Sequence, residues 1–152
     1  MQVEEMMSRK LVMIGPNESC LDAVVRMQRA RVRHLPVVNR DGALVGIVTD
    51  RDLRHHLFTP RVFETLGSTR VDVILDGVRV AEIMSTDVMT VEAGASVAAA
   101  AGTMRKHRVG SVPVMENGRM VGIVTEVDIL RQIAGADATA GPECAEIIVS
   151  YP

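Results

Sequence analysis

Aromatic side chains are nearly absent from this sequence: no Trp, one Tyr and two Phe among 152 residues, 2% in all. A chain so poor in rings cannot set out rows of base-stacking platforms, which argues against single-stranded nucleic-acid binding. Its formal net charge of -2 gives no electrostatic footprint for a phosphate backbone, so no nucleic-acid partner is expected. Cysteine is also scarce. Cys20 and Cys144 stand at no spacing that suggests a zinc site or a disulfide framework, and the expectation is a reducing, cytoplasmic compartment. The start of the chain carries Glu4 and Glu5 and lacks the apolar run of a signal peptide. No stretch reaches the roughly 20 apolar residues that a membrane span needs, so no membrane partner is expected. His34, His55, His56 and His107 are scattered, and no metal site is expected from them. No Ser or Cys stands in a nucleophile elbow or beside a plausible base, so no catalytic residue is expected.

What is present is aliphatic and repeated. Hydrophobic residues make up 47% of the chain, ten of them Met. Met7-Ser8, Ser19, Ala23, Met27, Arg31-Val32 and Pro36-Val37 recur as Met84-Ser85, Ser96, Ala100, Met104, Arg108-Val109 and Pro113-Val114, each 77 positions on. Gly42, Val45-Gly46-Ile47-Val48-Thr49 and Asp52 recur at an offset of 76 as Gly118, Val121-Gly122-Ile123-Val124-Thr125 and Asp128. One residue is missing from the second copy, in a turn, where a length change is tolerated. An internal repeat of this kind decides the fold.

Each copy has the pattern of β-α-β-β-α. A short apolar strand comes first, Leu11 to Ile14 or Val88 to Val91. Ser19 or Ser96 then stands as a helix N-cap. The first helix shows helical spacing at Leu21, Val24, Val25 and Gln28, and in the second copy it is Ala-rich. Met27 and Met104 read as core. A strand at Leu35 to Val38 or Val112 to Met115 is followed by Asp41-Gly42 or Asn117-Gly118, a hairpin signal. Its partner runs from Leu44 to Val48 or Met120 to Val124, and a second helix opens at Thr49 or Thr125. The expected division is 6–58 for copy one, 59–82 for a partly helical connection packed on the repeats, 83–135 for copy two, and 136–152 for a tail with a strand candidate at Ile147 to Val149.

The two copies resemble a tandem pair of CBS repeats. The residues that carry the likeness are Gly46-Ile47-Val48-Thr49-Asp50-Arg51-Asp52-Leu53 and Gly122-Ile123-Val124-Thr125-Glu126-Val127-Asp128-Ile129. Ile83-Met84-Ser85, Leu35-Pro36-Val37 and Val112-Pro113-Val114 support it. The resemblance implies an α/β fold, an α+β sandwich of two repeats packed sheet to sheet about a pseudo-twofold axis. It implies two clefts for an adenosine ligand such as AMP, ADP, ATP or S-adenosylmethionine, with no catalytic cofactor. It also implies a homodimer and a separate effector protein that reads the ligand.

Thr-x-x-Asp has two readings. Thr at a helix N-cap with an acid at N3 is close to a capping box, and Ser19-Cys20-Leu21-Asp22 has that spacing as well. A carboxylate can also accept from both ribose hydroxyls, by charge-assisted bonds, while a helix N-terminus favours phosphate. Both readings can hold together. By the resemblance, the Asp of one repeat works with the first strand and the pre-proline residues of the other. One cleft then has Thr125, Asp128, Val12, Met13, Arg33, His34 and Pro36. The other has Thr49, Asp52, Val88, Met89, Thr90, Gly110, Ser111 and Pro113. Arg can fork onto a phosphate and Gly cannot, so the Asp128 cleft is expected to be the stronger phosphate site. Arg29 and Arg31 read equally well as a solvated basic helix end. The rival functions are a structural dimerisation module with empty clefts and a nucleotide-hydrolysing enzyme.

Overall fold

Ser19 opens the first helix, α1 (Cys20–Ala30), by accepting from the Asp22 N–H at 3.1 Å, while Asp22 accepts from the Ser19 N–H at 3.1 Å. The computed structural model describes residues 1–57 and 71–135. After α1 come β1 (His34–Val38), β2 (Leu44–Thr49), α2 (Asp50–Leu57), α3 (Val71–Gly77) and α4 (Val80–Ile83). The second copy supplies β3 (Val91–Glu92), α5 (Val97–His107), β4 (Ser111–Glu116), β5 (Arg119–Thr125) and α6 (Glu126–Ile133). The architecture is the α+β pair of repeats, each a small sheet with helices packed on it.

The buried face of α1 is Cys20, Ala23 and Met27. Leu21 and Val24 are only partly buried beside it, and Val25 is exposed. The core-facing stripe is therefore turned one position from the spacing expected, because Ala23 and Met27, not Val25, reach β1. In α5 the corresponding Ala100 and Met104 are buried.

The expected first strands are short. In copy one only Ile14 pairs, parallel to Val37: its N–H donates to Pro36 O at 3.1 Å, and Val38 N–H donates to Ile14 O at 3.0 Å. The next rung would need an N–H at Pro36, and proline has none. Copy two repeats this, with Val91 and Glu92 paired to Val114 and Met115 just beyond Pro113. The ladder therefore stops short of Val12 and Met89, whose backbones run on without a strand partner.

The two hairpins differ where the sequence loses a residue. Asn117 and Gly118 both take positive φ, 50° and 75°, which is the type I′ condition. In copy one only Gly42 does, at 79°. Its longer loop is closed by the Asn39 side chain, which accepts from the N–H groups of Asp41 and Ala43 at 3.0 and 2.9 Å.

The segments ahead of the two repeats cross over. Val3 N–H donates to Ala95 O at 2.8 Å, and Ser8 and Ile123 exchange two backbone bonds of 3.0 and 3.1 Å. Val3 and Met7 are buried in the core of copy two with Met104, Val112 and Ile129. In the same way Val80 N–H donates to Glu18 O at 2.9 Å, Ser85 and Ile47 exchange two bonds of 2.9 Å, and Val80 joins the core of copy one. Leu75 of α3 joins that core too, which gives the described part of the connection its packed helical turns. Val62, Phe63 and Leu66 of the connection, the tail strand Ile147 to Val149 and Cys144 lie outside the described residues.

Candidate ligand-binding cleft

Thr49 and Thr125 end β2 and β5 and cap α2 and α6. The Thr49 N–H and hydroxyl donate to Asp52 Oδ2 at 2.8 and 2.9 Å, and the Asp52 N–H donates to Thr49 Oγ1 at 3.2 Å. Thr125 and Asp128 repeat this at 2.8, 2.7 and 3.3 Å. The capping reading therefore holds for both motifs. It engages one carboxylate oxygen of each Asp and leaves Oδ1. Asp128 Oδ1 lies 3.8 Å from Arg131 Nη1. Ser19 and Asp22 make the same triangle, but neither lines the cleft that the two Thr-x-x-Asp motifs share.

That cleft is one continuous cavity of about 760 Å³ running between the repeats. It brings together Thr49, Asp52, Val88, Met89, Gly110 and Ser111. It also takes in Thr125, Asp128, Val12, Arg33, His34 and Pro36. Three expected residues stand outside it. The Met13 carbonyl accepts from Arg26 Nη1 at 2.7 Å, an arginine that Glu18 holds at 2.6 Å. Pro113 is fully buried and does not line the cleft. Thr90 is exposed away from the lining.

The crossed lead-in segments lay the start of each repeat against the last strand of the other. Ser8 and Ile123 are bonded antiparallel, as are Ser85 and Ile47, and the residues that follow, Lys10 to Val12 and Asp87 to Met89, line the cleft. His34 projects across to the other copy. Its Nε2 lies 3.2 Å from where a Cβ on Gly110 would stand, and the Glu126 carboxylate is 3.6 Å from the same point. A side chain at 110 would close this gap. Burial pushes the His34 imidazole below its ordinary pKa and the Arg33 guanidinium adds to that, while Asp50, Glu126 and Asp52 act the other way.

Several lining residues were not singled out from sequence: Lys10, Asp87, Arg51, Arg54 and Glu126. The repeat offsets applied to the neighbours of the motifs would have found them. Arg31 and Arg108 line the cleft as well, and each closes its helix in the left-handed conformation, at φ 54° and 55°. Arg29 faces a separate groove beside Asp22 and Arg26. Among the described residues no group of three or more His, Cys, Asp or Glu could hold a metal ion, and no helix is long and apolar enough to cross a membrane.

The CBS domain family model matches residues 3–59 and 80–135. A CBS domain-containing protein of Dictyostelium discoideum is 35% identical over 84% of this chain and 88% of its own length. Two Methanocaldococcus jannaschii proteins, MJ1404 and MJ1225, are 34% and 35% identical, and the chain spans only 32% and 47% of their lengths. Among solved structures, MJ1225 superposes with a TM-score of 0.76 at 32% identity, covering 87% of this chain and 47% of that one. The CBS domain pair of protein MJ0100, in complex with 5′-methylthioadenosine and S-adenosyl-L-methionine, gives 0.71 at 29% identity, covering 89% and 97%.

Proposed function

Because the chain belongs to the CBS-domain family and carries two of its repeats, we propose that it is a regulatory module that binds adenosine ligands in the shared cleft and performs no chemistry on them. The observation that carries this reading is the pair of Thr-x-x-Asp caps, each with a carboxylate oxygen left over, lining one cleft. Such an oxygen can accept from ribose hydroxyls. The adenine edge has backbone groups to meet at Val12 and Met89, where Pro36 and Pro113 stop the ladder. The solved MJ0100 pair, which holds two adenosine compounds, supports the ligand class.

The Asp128 end, with Val12, Arg33 and His34, is the stronger phosphate site in this reading. The Asp52 end has Gly110 and Ser111 in the places of Arg33 and His34. The signal passes to an effector protein or through a homodimer, by a difference in ligand affinity between two states. Val127, Leu130 and Ile133 on α6 are exposed apolar side chains and offer a face for a second copy.

Thermal unfolding with AMP, ADP, ATP and S-adenosylmethionine tests the proposal, since a ligand of the native state raises apparent stability. The expected result is a rise in Tm with at least one of them, reduced in Asp52→Ala and Asp128→Ala. No shift with any would leave a purely structural dimerisation module. Release of product from ATP would instead point to a hydrolase.

A further inference from the structure

One imidazole reaches across the seam between the repeats, with an acid from each repeat nearby. His34, at the start of β1, has its Nε2 3.2 Å from the point that a Cβ on Gly110 would take. The Glu126 carboxylate, at the start of α6, stands 3.6 Å from that same point. Gly110 has no positive φ, so what glycine provides there is room for the ring. The arrangement occurs once in the chain, because Ser111 holds the place of His34 in copy two. Asp50 and Glu126 hold equivalent places, each first in its helix. Their N–H groups donate to the carbonyls of Arg33 and Gly110 at 3.1 and 3.0 Å.

Neither the His34 ring nor the Glu126 carboxylate has a hydrogen bond or ion pair among the described residues. Asp50 gives Oδ2 to Arg54 at 3.0 Å and keeps Oδ1. Asp52 gives Oδ2 to the Thr49 cap. Burial, then Arg33, holds the imidazole below its ordinary pKa, and Asp50, Glu126 and Asp52 oppose them. Arg31, Arg51 and Arg108 line the cleft with it, as does Asp128, which Thr125 engages. The seam thus holds a neutral ring between acids that have acceptor oxygens to spare.

We infer that His34 is a proton-operated latch between the repeats: the neutral ring leaves Asp50 and Glu126 unjoined, and the imidazolium, its proton taken from solvent, draws both carboxylates onto itself and narrows the cleft. An imidazolium has two N–H donors, one for each carboxylate. Charge-assisted bonds in a half-buried seam are stronger than in open water. Histidine is also the side chain whose charge changes nearest to neutral pH. The latch stands open at neutral pH, since the folded pKa lies below the ordinary value of 6.5. It closes on acidification through that lower pKa. It acts on the cleft whatever ligand enters and makes no use of the adenosine reading.

NMR titration of the His34 ring in the full chain, without nucleotide, tests the latch when joined to residual dipolar couplings of the backbone amides. The couplings report the angle between the repeats above and below the His34 pKa. That angle is expected to change as His34 titrates, and to stay fixed over the same range in His34→Gln. Glu126 is exposed and Asp50 half-buried, so Glu126→Gln and Asp50→Asn leave the core intact. Each should lower the His34 pKa, because each removes a charge that favours the imidazolium. Glu126→Gln should also keep the repeats at their neutral-pH angle throughout. A His34 pKa unmoved by Glu126→Gln would overturn the inference. So would an angle that stays fixed through the titration, or one that changes as much in His34→Gln. A ring that stays neutral until the chain unfolds would overturn it too. None of these outcomes touches the adenosine reading, which the nucleotide experiments above test separately.

Discussion

The sulfur of Met7 occupies the space that a side chain on Gly122 would need. A Cβ at Gly122 would collide with Met7 Sδ and stand 2.8 Å from its Cγ. Gly46 meets Met84 in the same way, with the Ser85 carbonyl 3.0 Å from the same point. Glycine is required at both places by close approach, since neither has a positive φ.

Gly122→Ala is therefore expected to destabilise the fold by about 1–3 kcal/mol, the usual cost of overpacking. Urea unfolding checks this. In a Met7→Ala background the same substitution should cost less, because the colliding atoms are gone, and a double-mutant cycle reads the difference. Equal costs in both backgrounds would remove Met7 from the explanation.

Thr125 and Asp128 separate stability from ligand affinity. Thr125→Ala removes the cap and should cost about 1 kcal/mol of stability. Asp128→Asn keeps a neutral acceptor for the Thr125 N–H but loses the charged one. Its stability should change little, while adenosine-ligand affinity falls by about 1.5–3 kcal/mol, read by calorimetry. An Asp128→Asn variant that unfolds readily but binds normally would show that the residue is only a cap.

Arg31 and Arg108 hold left-handed backbone at φ 54° and 55°, where glycine is the usual residue. Arg31→Gly should raise stability by up to roughly 1 kcal/mol, because the Cβ penalty disappears. It should also weaken phosphate-bearing ligands, because a cleft guanidinium goes with it. Unfolding midpoints and AMP titration together test this opposition. A variant that gains neither stability nor loses affinity would contradict both halves.

His34 ties stability to pH. Its folded pKa lies below 6.5, chiefly through burial and then through Arg33. The unfolded chain therefore takes up this proton first as pH falls. Stability is lost on acidification from about 6.5 down to the folded pKa, and the loss then stays constant. Urea unfolding of the unmodified protein and His34→Gln at several pH values between neutrality and that range isolates the effect. The variant should lose less stability over the interval. Parallel profiles would mean that His34 titrates normally.

The elements readable in advance were those whose own residues decide them. Ser19, Thr49 and Thr125 announced helix starts by their caps, and Asn117-Gly118 announced a tight turn. The apolar runs around Pro36 and Pro113 placed the central strands. What escaped depends on partners distant in sequence. Leu11 to Ile14 are apolar enough for a strand, yet their pairing is ended by a proline on the neighbouring one. Asp41-Gly42 looks like its counterpart, but one extra residue hands the turn to Asn39. In the cleft, the motif residues were visible because they recur. Lys10 and Asp87 lie outside the motif and differ between the copies, so only their equivalent places in the repeat pointed to the cleft they line.

The crossed segments at Val3 to Ser8 and Val80 to Ser85 make damage at one end of the chain felt at the other. Removing the first seven residues would take nothing from the core of the repeat that follows directly. It would strip Val3 and Met7 out of a core built from residues a hundred positions downstream. Neither repeat is thus a detachable unit, and expressing one without its sibling's leader would leave its sheet uncovered. Folding of the pair should be a single cooperative event, in which the last helices cannot settle until the first few residues have been threaded across to meet them.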